Sequence, residues 1–356
     1  MTARLRNEAR DFFSFNIGKP ENLKPLIQRI NRAAAASGPH TNINLFMGDI
    51  KQMYTELEHD ELKKAIKWLI LKFQTRFGRG VTLKVKRYPS KEPNQRDMNV
   101  VLGTSCVSKK RYYEITMTEL DAIVRFDIDN TFFKIGSQIY RQVRGIPMGS
   151  NLPPALAYLI CTYYERRIPK TTPAYRLARV FGARYMDDIL IIRLLSAHDT
   201  ELNELLHIDL QRIIDTSRPD SIYHPRLHIK QELDPRGVAC LGSLIYKKDN
   251  GLLCIRYLNR NEVALTTAQT QNILRFQHRL SYTPVQQQVG VMIGEFTRIL
   301  RMTSEWPDVL TQASLLTQEF GSLGYPLKMV SQALLNKFNQ TFHPHWRLLS
   351  QHIILE

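Results

Sequence analysis

The sequence predicts an α+β protein, in which a first part of alternating strands and helices is followed by a helical C-terminal part. INLFMGDI, from Ile43 to Ile50, has the apolar character of a buried strand. The residues after it predict an amphipathic helix whose apolar stripe consists of Leu62, Ile66, Leu69 and Phe73. Two further apolar runs flank Met186-Asp187-Asp188 and predict two strands joined by a tight turn. After about Tyr257 the periodicity is helical.

We predict three segments along the chain: an N-terminal helical segment at 1–42, an α+β unit at 43–256 and a helical unit at 257–356. Within the α+β unit, helices are predicted near 117–126, from about 152 and near 202–214. Strand pairs are predicted around Gly136 and around Asn250-Gly251, the second pair being VACLGSLIY and LLCIRY. The apolar stripe predicted for the helical unit consists of Val285, Val289, Ile293, Phe296 and Leu300.

Residues 79–111 differ in character from their surroundings. VTLKVKRYP and MNVVLGTSCV are typical of strands, and the turn-rich PSKEPNQRD lies between them. The stretch holds nine basic and two acidic residues, so it contributes +7 to the formal net charge of +16. We interpret it as an inserted basic β-ribbon, and an ordinary solvated hairpin is an equally good interpretation.

Charge and composition narrow the class of partner. With a net charge of +16 and a pI of about 9.7, the chain favours a polyanionic partner whose binding weakens as salt rises. An anionic membrane surface is the competing polyanion, but the sequence has no basic amphipathic anchor and no apolar run of ~18 residues. The four cysteines form no CxxC pair, and the charged N-terminus does not resemble a secretory signal. We therefore expect a soluble, intracellular protein without a membrane partner.

Asp187 and Asp188 interrupt the apolar strand residues of ARYMDDILIIR. Two adjacent carboxylates repel each other, and apolar surroundings make their ionisation costly, so a divalent cation that prefers hard oxygen ligands would stabilise them. The alternative is a solvent-exposed turn in which Asp serves only as a turn former. For Tyr-Met-Asp-Asp between two apolar strands we favour the metal site, with Mg²⁺ as the ion.

Three features earlier in the chain have two interpretations each. Asp49, at the end of a predicted strand, would be a third carboxylate that bridges two metal ions, or else a cap for the next helix. Tyr54 would lie beneath an incoming sugar and exclude a 2′-hydroxyl, or else pack in the core. The glycines of GIPMGS, residues 145–150, would let a ligand approach the backbone before a helix N-terminus, or else form a plain loop.

The order of these motifs resembles that of reverse transcriptases. Asp49 matches their first catalytic motif, GIPMGS matches their loop that positions template and nucleotide, and YMDD matches their metal-binding hairpin. Within that superfamily, DIKQMYTEL, FFKIGSQIYRQVRGIPMGS, GEFTRILRMTS and LGYP are most similar to Penelope-like elements, which are relatives of telomerase. The resemblance extends from about Ile43 to Pro326.

The resemblance implies a right-hand polymerase fold, with a ferredoxin-like antiparallel palm sheet, a helical thumb and reduced or missing fingers. It implies an RNA-directed DNA polymerase that extends a DNA or RNA primer with dNTPs on an RNA template, and a nuclear location. Two Mg²⁺ ions, with Mn²⁺ as the alternative, would be held by the carboxylates of Asp49, Asp187 and Asp188 and by the carbonyl of Ile50. Lys230 would protonate the pyrophosphate, or else be a surface lysine of a strand.

Two larger sets of residues receive roles from the same resemblance. Contacts with nucleotide and template are assigned to Ile50, Lys51, Tyr54, Gly145, Pro147, Met148, Gly149, Ser150, Tyr185 and Met186. Contacts with the nucleic-acid backbone are assigned to Lys84, Lys86, Arg87, Lys109, Lys110 and Arg111 in the insertion, and to Leu241 and Gly242 in CLGSLIY, the primer-gripping hairpin.

The chain departs from the family pattern at three places. Only 48 residues precede Asp49, where reverse transcriptases place their fingers. The fingers are then reduced, truncated away or replaced by the basic insertion, and a protein or domain that supplies fingers is an expected partner. Gly242 stands where the family usually has Asp, and Gly-Ile-Pro stands in place of Gly-Thr-Ala. Two rival functions stay open. An RNA-dependent RNA polymerase is disfavoured by Met186 and Tyr54. A non-catalytic nucleic-acid-binding scaffold is favoured by the missing fingers and opposed by the intact set of three aspartates.

Overall fold

The computed structural model describes residues 13–88, 99–104, 111–147, 152–232, 236–267, 274–341, 348 and 351. Within these residues the chain forms helices and antiparallel sheets, which confirms the predicted α+β class. No helix in this described part combines the length and the apolar character needed to cross a membrane.

Two compact units interleave along the described chain. The first takes the residues up to Gly18, Gly48–Ile191 and Thr200–Gln231, and the second takes Lys19–Met47, Ile192–Asp199 and the residues from Glu232 onward. Because the units are not contiguous, they give no test of the segments 1–42, 43–256 and 257–356, which stay a prediction.

The helices occupy the following ranges. They are α1 Leu23–Ala36, α2 Met53–Glu56, α3 His59–Phe77, α4 Met117–Asp129, α5 Pro153–Glu165, α6 Ile168–Thr171, α7 Ala174–Leu177, α8 Thr200–Ile214, α9 Glu262–Thr266, α10 Val285–Met302, α11 Trp306–Ser322 and α12 Leu327–Thr341. A 3₁₀ turn at Pro20–Asn22 precedes α1. The strands are β1 Thr41–Ile50, β2 Thr82–Lys86, β3 Val100–Gly103, β4 Tyr112–Thr116, β5 Phe132–Ile135, β6 Gln138–Arg141, β7 Val180–Tyr185, β8 Asp188–Ser196, β9 Ile229–Gln231, β10 Val238–Cys240, β11 Ser243–Lys247 and β12 Leu253–Tyr257.

A four-stranded sheet with the order β7-β8-β1-β9 carries the predicted catalytic residues. The two strands in its middle are mostly apolar, and six consecutive residues of β8, 189–194, are buried, with Arg193 the one charged residue among them. A strand covered on both faces needs a near-continuous apolar run of this kind rather than alternation. Strands β1 and β9 pair antiparallel, with Gly48 opposite Gln231 and Asp49 opposite Lys230. The predicted strands around the Asp-Asp turn are therefore confirmed.

Helix α3 covers part of the first unit with an apolar face. It buries Leu62, Ala65, Ile66, Ile70 and Phe73, and it packs against α4 and α5. The predicted stripe is confirmed at three of its four positions, while Leu69 is only half-buried and its place on the buried face is taken by Ile70.

The insertion forms a three-stranded sheet with the order β3-β2-β4. Strands β2 and β3 pair antiparallel as predicted, with Lys84 opposite Val101. The prediction missed the third strand, β4, which pairs with the other edge of β2 and places Glu114 opposite Lys84. Helix α4 follows β4 directly and begins with a capping box, in which the side chains of Thr116 and Glu119 each accept a backbone N–H of the other residue.

The second predicted hairpin is wrong in one respect. VACLGSLIY is two strands, β10 and β11, because Leu241 and Gly242 form a tight turn with φ of 52° and 74°. Strands β11 and β12 then pair antiparallel, and the turn between them contains Asn250-Gly251 as predicted. The result is a three-stranded sheet with the order β10-β11-β12.

The C-terminal helices α10, α11 and α12 enclose an apolar core within the second unit. Its buried members include Met292, Phe296, Ile299, Leu316 and Phe320. The stripe predicted for α10 is rotated from the observed one. Among its residues Phe296 is buried and Val285 is 47% exposed, whereas the observed buried face is Gln288, Met292, Phe296, Ile299 and Met302.

Candidate active site

The ends of β1 and β8 bring two predicted catalytic motifs together. The backbone N–H of Ile50 donates a hydrogen bond to the backbone carbonyl of Asp187, at 2.9 Å. Asp49 therefore lies one residue from the point where β1 meets the Met186-Asp187 turn. Lys230 lies directly opposite Asp49 on β9, and residues opposed in an antiparallel pair point to the same face of the sheet.

The turn at Met186-Asp187 has an unusual backbone. Met186 has a φ of 56°, in the left-handed region that non-glycine residues rarely adopt. The guanidinium of Arg184 donates a hydrogen bond to the Met186 carbonyl at 3.3 Å, which stabilises this conformation. Strain of this kind persists only where neighbouring groups stabilise it, and it concentrates at functional sites.

Arg184 belongs to a fully buried polar cluster that the sequence analysis missed. Its Nε donates to Glu165 at 2.5 Å, and both side chains are 0% exposed. The Glu165 carboxylate also accepts hydrogen bonds from the hydroxyl of Ser14, the backbone N–H of Phe15 and the hydroxyl of Tyr223. Burial is the largest single influence and acts to lower the pKa of the Arg184 guanidinium, but the Glu165 carboxylate, Cys161 and Tyr223 together outweigh it, so the pKa is raised.

A signal for this cluster was present in the sequence. Arg184 interrupts the apolar strand VFGARY, and Glu165 ends the apolar helix PPALAYLICTYYE. Charged residues are almost never fully buried unless they are paired. Two opposite charges in two buried elements therefore indicate an internal ion pair.

The three aspartates are half-buried, which suits ions that must meet both protein and solvent. Asp49 has a side chain 17% exposed, and the ammonium of Lys51 lies 2.6 Å from its Oδ2. Asp187 and Asp188 are of intermediate exposure. In the part of the chain that the structure describes, no three His, Cys, Asp or Glu side chains are gathered into a ready metal cluster. The donor chemistry fits Mg²⁺, because all the available ligands are hard oxygens.

Asp49 does not cap the helix that follows it. It lies inside β1, and the N-cap position of α2 is occupied by Gln52, whose φ is 52°. Of the two interpretations weighed for Asp49, the capping role is therefore excluded.

Tyr54 lies beside the Asp-Asp turn rather than in the core. It is half-buried, and its hydroxyl donates to the sulfur of Met186 at 3.7 Å. Burial and, next, the negative charge of Asp187 raise the pKa of the Tyr54 hydroxyl. The ring therefore stays neutral and lies close to Asp187.

Gly145 is required by its own protein neighbours. It has a φ of 77°, and a Cβ at this position would lie 2.7 Å from the backbone oxygens of both Tyr54 and Thr55. Its N–H donates to the carbonyl of Leu57 at 2.8 Å, and the N–H of Ile146 donates to the carbonyl of Tyr54 at 2.7 Å. The backbone of the Tyr54 segment thus makes a close approach to Gly145, and the approach of a ligand to this loop stays a prediction.

The other assigned nucleotide contacts have simpler positions. Lys51 is exposed, Tyr185 and Pro147 are half-buried, and Ile50 is buried at the end of β1. Met148, Gly149 and Ser150 lie outside the described residues.

The residues of the insertion that were predicted to contact phosphates differ in their exposure. Lys84 has a fully buried side chain, which donates to the carbonyl of Gly103 at 3.0 Å, so its assignment as a phosphate contact is not supported. Arg87 and Arg111 are exposed, and the guanidinium of Arg87 stacks 3.9 Å from the ring centroid of Tyr113. Lys86 is half-buried. Lys109 and Lys110 lie outside the described residues.

The predicted primer-gripping turn contacts helix α10 within the second unit. The guanidinium of Arg298 donates to the carbonyl of Leu241 at 3.3 Å, and it also occupies the space that a Cβ on Gly242 would need. The absence of a side chain at Gly242 therefore makes room for Arg298.

Comparison with known proteins yields a match at the level of the fold. Neither a protein-family model nor a curated protein sequence matches the chain. Telomerase from Candida albicans, solved in complex with a TWJ fragment of telomeric RNA, matches with a TM-score of 0.55 at 13% identity over 98% of this chain and 50% of that one. Apo telomerase from Candida tropicalis matches with a TM-score of 0.52 at 11% identity over 99% of this chain and 52% of that one.

The chain thus spans about half the length of these telomerases. Identities this low establish the fold and no finer relationship, so the resemblance to Penelope-like elements stays a prediction. With its helices, antiparallel sheets and fold match to telomerase, this chain has a reverse-transcriptase-like fold.

Proposed function

We propose that the chain is an RNA-directed DNA polymerase, which extends a primer 3′-hydroxyl with dNTPs by two-metal phosphoryl transfer. The observation that carries the proposal is the meeting of Asp49 and the Asp187-Asp188 turn at one point of a reverse-transcriptase-like fold, through the hydrogen bond from Ile50 to Asp187. Carboxylates on adjacent strand ends are the ligands that a two-metal site requires.

In this proposal the carboxylates of Asp49, Asp187 and Asp188 and the carbonyl of Ile50 hold two Mg²⁺ ions, with Mn²⁺ as a substitute. When bound, such ions lower the pKa of a nucleophile and neutralise developing charge on phosphate oxygens. The 2.6 Å ion pair between Lys51 and Asp49 means that the ammonium and a metal ion compete for the same carboxylate.

Two further residues of the site have proposed roles that use their observed positions. Tyr54 holds its ring beside the Asp187 turn, where it would pack beneath the sugar of an incoming dNTP and exclude a 2′-hydroxyl. Lys230 is exposed and lies opposite Asp49 across the β1–β9 pair, from where its ammonium would protonate the leaving pyrophosphate.

An RNA template and a DNA or RNA primer are the proposed partners, and the net charge of +16 supports a polyanion. The Candida albicans telomerase of similar fold was solved with RNA, which agrees with this proposal. A fingers-like protein or domain is proposed as a further partner, and the nucleus as the location. In the proposed polymerase, the helices α10–α12 correspond to the thumb and the β7-β8-β1-β9 sheet to the palm.

The test is primer extension on an RNA template with Mg²⁺ and dNTPs, comparing wild type with Asp187→Asn. The matched control is Asp60→Asn, which removes the same charge from an exposed position on α3. Extension by the wild type and the control, together with a loss of at least ~100-fold in Asp187→Asn, would support the polymerase. Extension that survives Asp187→Asn would exclude the proposed metal site.

One observation favours a second candidate, a non-catalytic nucleic-acid-binding scaffold. The Lys51–Asp49 ion pair already neutralises one of the three carboxylates. A folded wild-type protein that binds a primer–template duplex equally well with Mg²⁺ or with EDTA, and extends nothing, would support this candidate and exclude a polymerase that acts without a fingers partner.

A further inference from the structure

The β5–β6 hairpin, Phe132–Ile135 and Gln138–Arg141, is exposed along its whole length. All eight of its strand residues are exposed, including Phe132 at 57% and Ile139 at 73%. A two-stranded hairpin is marginally stable alone and normally packs one face on a core. A hairpin that leaves large apolar side chains on both faces in solvent therefore indicates a contact surface.

The strand register divides these side chains between two faces. Phe132 pairs with Arg141 and Lys134 with Ile139, so these four side chains share one face, which we call the basic face. Phe133 pairs with Tyr140 and Ile135 with Gln138 on the opposite face, which we call the aromatic face. On the aromatic face the rings of Phe133 and Tyr140 stack on each other, with centroids 5.7 Å apart.

The charge of the hairpin points to a polyanion. From residue 131 to residue 144 the sequence has three basic residues, Lys134, Arg141 and Arg144, and no acidic one. Two of the three lie on the basic face. Asp129 is a carboxylate within electrostatic range of Arg141, and it is bonded to Lys63 at 2.6 Å. Lys134 and Arg141 thus leave a positive surface next to exposed apolar groups.

The hairpin is attached firmly to the candidate active site. The N–H of Gln142 donates to the carbonyl of Thr131 at 2.8 Å and closes the base of the hairpin. Two and three residues beyond the exposed Val143, the N–H groups of Gly145 and Ile146 donate hydrogen bonds to the Leu57 and Tyr54 carbonyls, respectively. A strand held by the hairpin would therefore be held at a fixed distance from Tyr54.

We propose that the basic face of the β5–β6 hairpin binds single-stranded nucleic acid, with Phe132 stacking on a base and Lys134 and Arg141 on phosphates. Stacking requires an unpaired base, because the faces of bases in a duplex are covered by their neighbours. The inference rests on the proposed polymerase in one respect: the strand would then be the unpaired template next to the site.

The experiment measures binding of a fluorescein-labelled oligo(U) of ~20 nucleotides by fluorescence anisotropy, without Mg²⁺ or nucleotides. Lys134→Gln/Arg141→Gln removes two phosphate contacts. Each contact on a single strand contributes about 0.7 to the slope of log affinity against log salt, so the slope should fall by about 1.4 and the affinity at 0.1 M salt by about 25-fold. Lys67→Gln/Lys170→Gln, which removes two exposed lysines of the same unit, is the charge control.

Two neighbouring phenylalanines give a test of the face. Phe132→Ala should weaken oligo(U) binding by about 10-fold, since a stacked base is lost. Phe133→Ala removes the same side chain from the aromatic face and should leave the affinity within about 2-fold of wild type. Equal effects of Phe132→Ala and Phe133→Ala, or an effect of the lysine control equal to that of Lys134→Gln/Arg141→Gln, would overturn the proposal. Unchanged affinity in all of these variants would also overturn it, and would indicate a protein as the partner of the hairpin.

The outcome is separable from the polymerase proposal because primer extension is measured on the same preparations. A wild type that extends primers while Lys134→Gln/Arg141→Gln binds oligo(U) normally would overturn the hairpin proposal alone. Wild-type binding that these substitutions weaken, in a protein that extends nothing, would support the hairpin proposal and exclude a polymerase that acts without a fingers partner. A folded wild type that binds no oligo(U) would overturn the hairpin proposal outright.

Discussion

Substitution of Glu165 should lower the free energy of unfolding by more than substitution of an exposed residue does. Its carboxylate accepts four hydrogen bonds inside the first unit, from Ser14, the backbone of Phe15, Arg184 and Tyr223. In Glu165→Ala these donors lose their acceptor, and Arg184 becomes a buried charge without its counter-ion, since both side chains are 0% exposed.

The magnitude follows from the burial of this pair. Removing one partner of a buried ion pair lowers the free energy of unfolding by about 3–5 kcal/mol, because a charge is left uncompensated. A donor that loses its partner in the interior adds about 1–3 kcal/mol. We expect a loss of about 4 kcal/mol or more for Glu165→Ala. The double variant Glu165→Leu/Arg184→Met removes both charges and should recover more than half of that loss.

The assay is equilibrium unfolding in urea followed by circular dichroism. Glu204→Ala, at an exposed position of α8, is the matched control and should stay within about 0.5 kcal/mol of wild type. A loss below about 1 kcal/mol in Glu165→Ala would refute the reasoning. A double variant less stable than the single one would also refute it, because the penalty would then lie in packing rather than in the unpaired charge.

Three other substitutions test the site. Gly145→Ala should destabilise the protein by about 2–4 kcal/mol in urea unfolding, through a left-handed φ and a clash with two carbonyls, while Gly136→Ala, at φ 61° with open space around it, should cost about 1 kcal/mol. Tyr54→Ala should reduce the preference for dNTPs over rNTPs in primer extension by at least ~10-fold, and Tyr54→Phe, which keeps the ring, should retain the preference. Lys51→Met should lower the Mg²⁺ concentration for half-maximal extension by about 2- to 5-fold, since it frees Asp49; an unchanged requirement would contradict the competition.

The parts of the fold that sequence predicts well are those governed by local pattern. The apolar runs around Asp187-Asp188 become β7 and β8, and the turns at Gly136 and Asn250-Gly251 lie where their φ values of 61° and 78° at glycine require. Asp49 and Asp187 were expected to meet, and the backbone bond from Ile50 shows that their strand ends do.

The parts that sequence missed depend on distant partners. Lys84 can be buried because its ammonium donates a hydrogen bond to the carbonyl of Gly103 on the neighbouring strand. A count of basic residues cannot reveal this distant partner. The buried face of α10 includes Gln288, whose amide donates to the carbonyls of Arg279 and Thr283. A polar residue satisfied in this way displaces the apolar stripe inferred from hydrophobicity alone.

The joint between the Gly145 loop and the Tyr54 segment is made by main-chain atoms, with N–H groups at Gly145 and Ile146 and carbonyls at Leu57 and Tyr54. Such a joint restricts the residue type at one position, Gly145. At its other positions it requires only that the backbone conformation be kept. Substitutions can therefore accumulate around it while the geometry is inherited unchanged. That is one physical route by which chains with 11–13% identity come to share a fold.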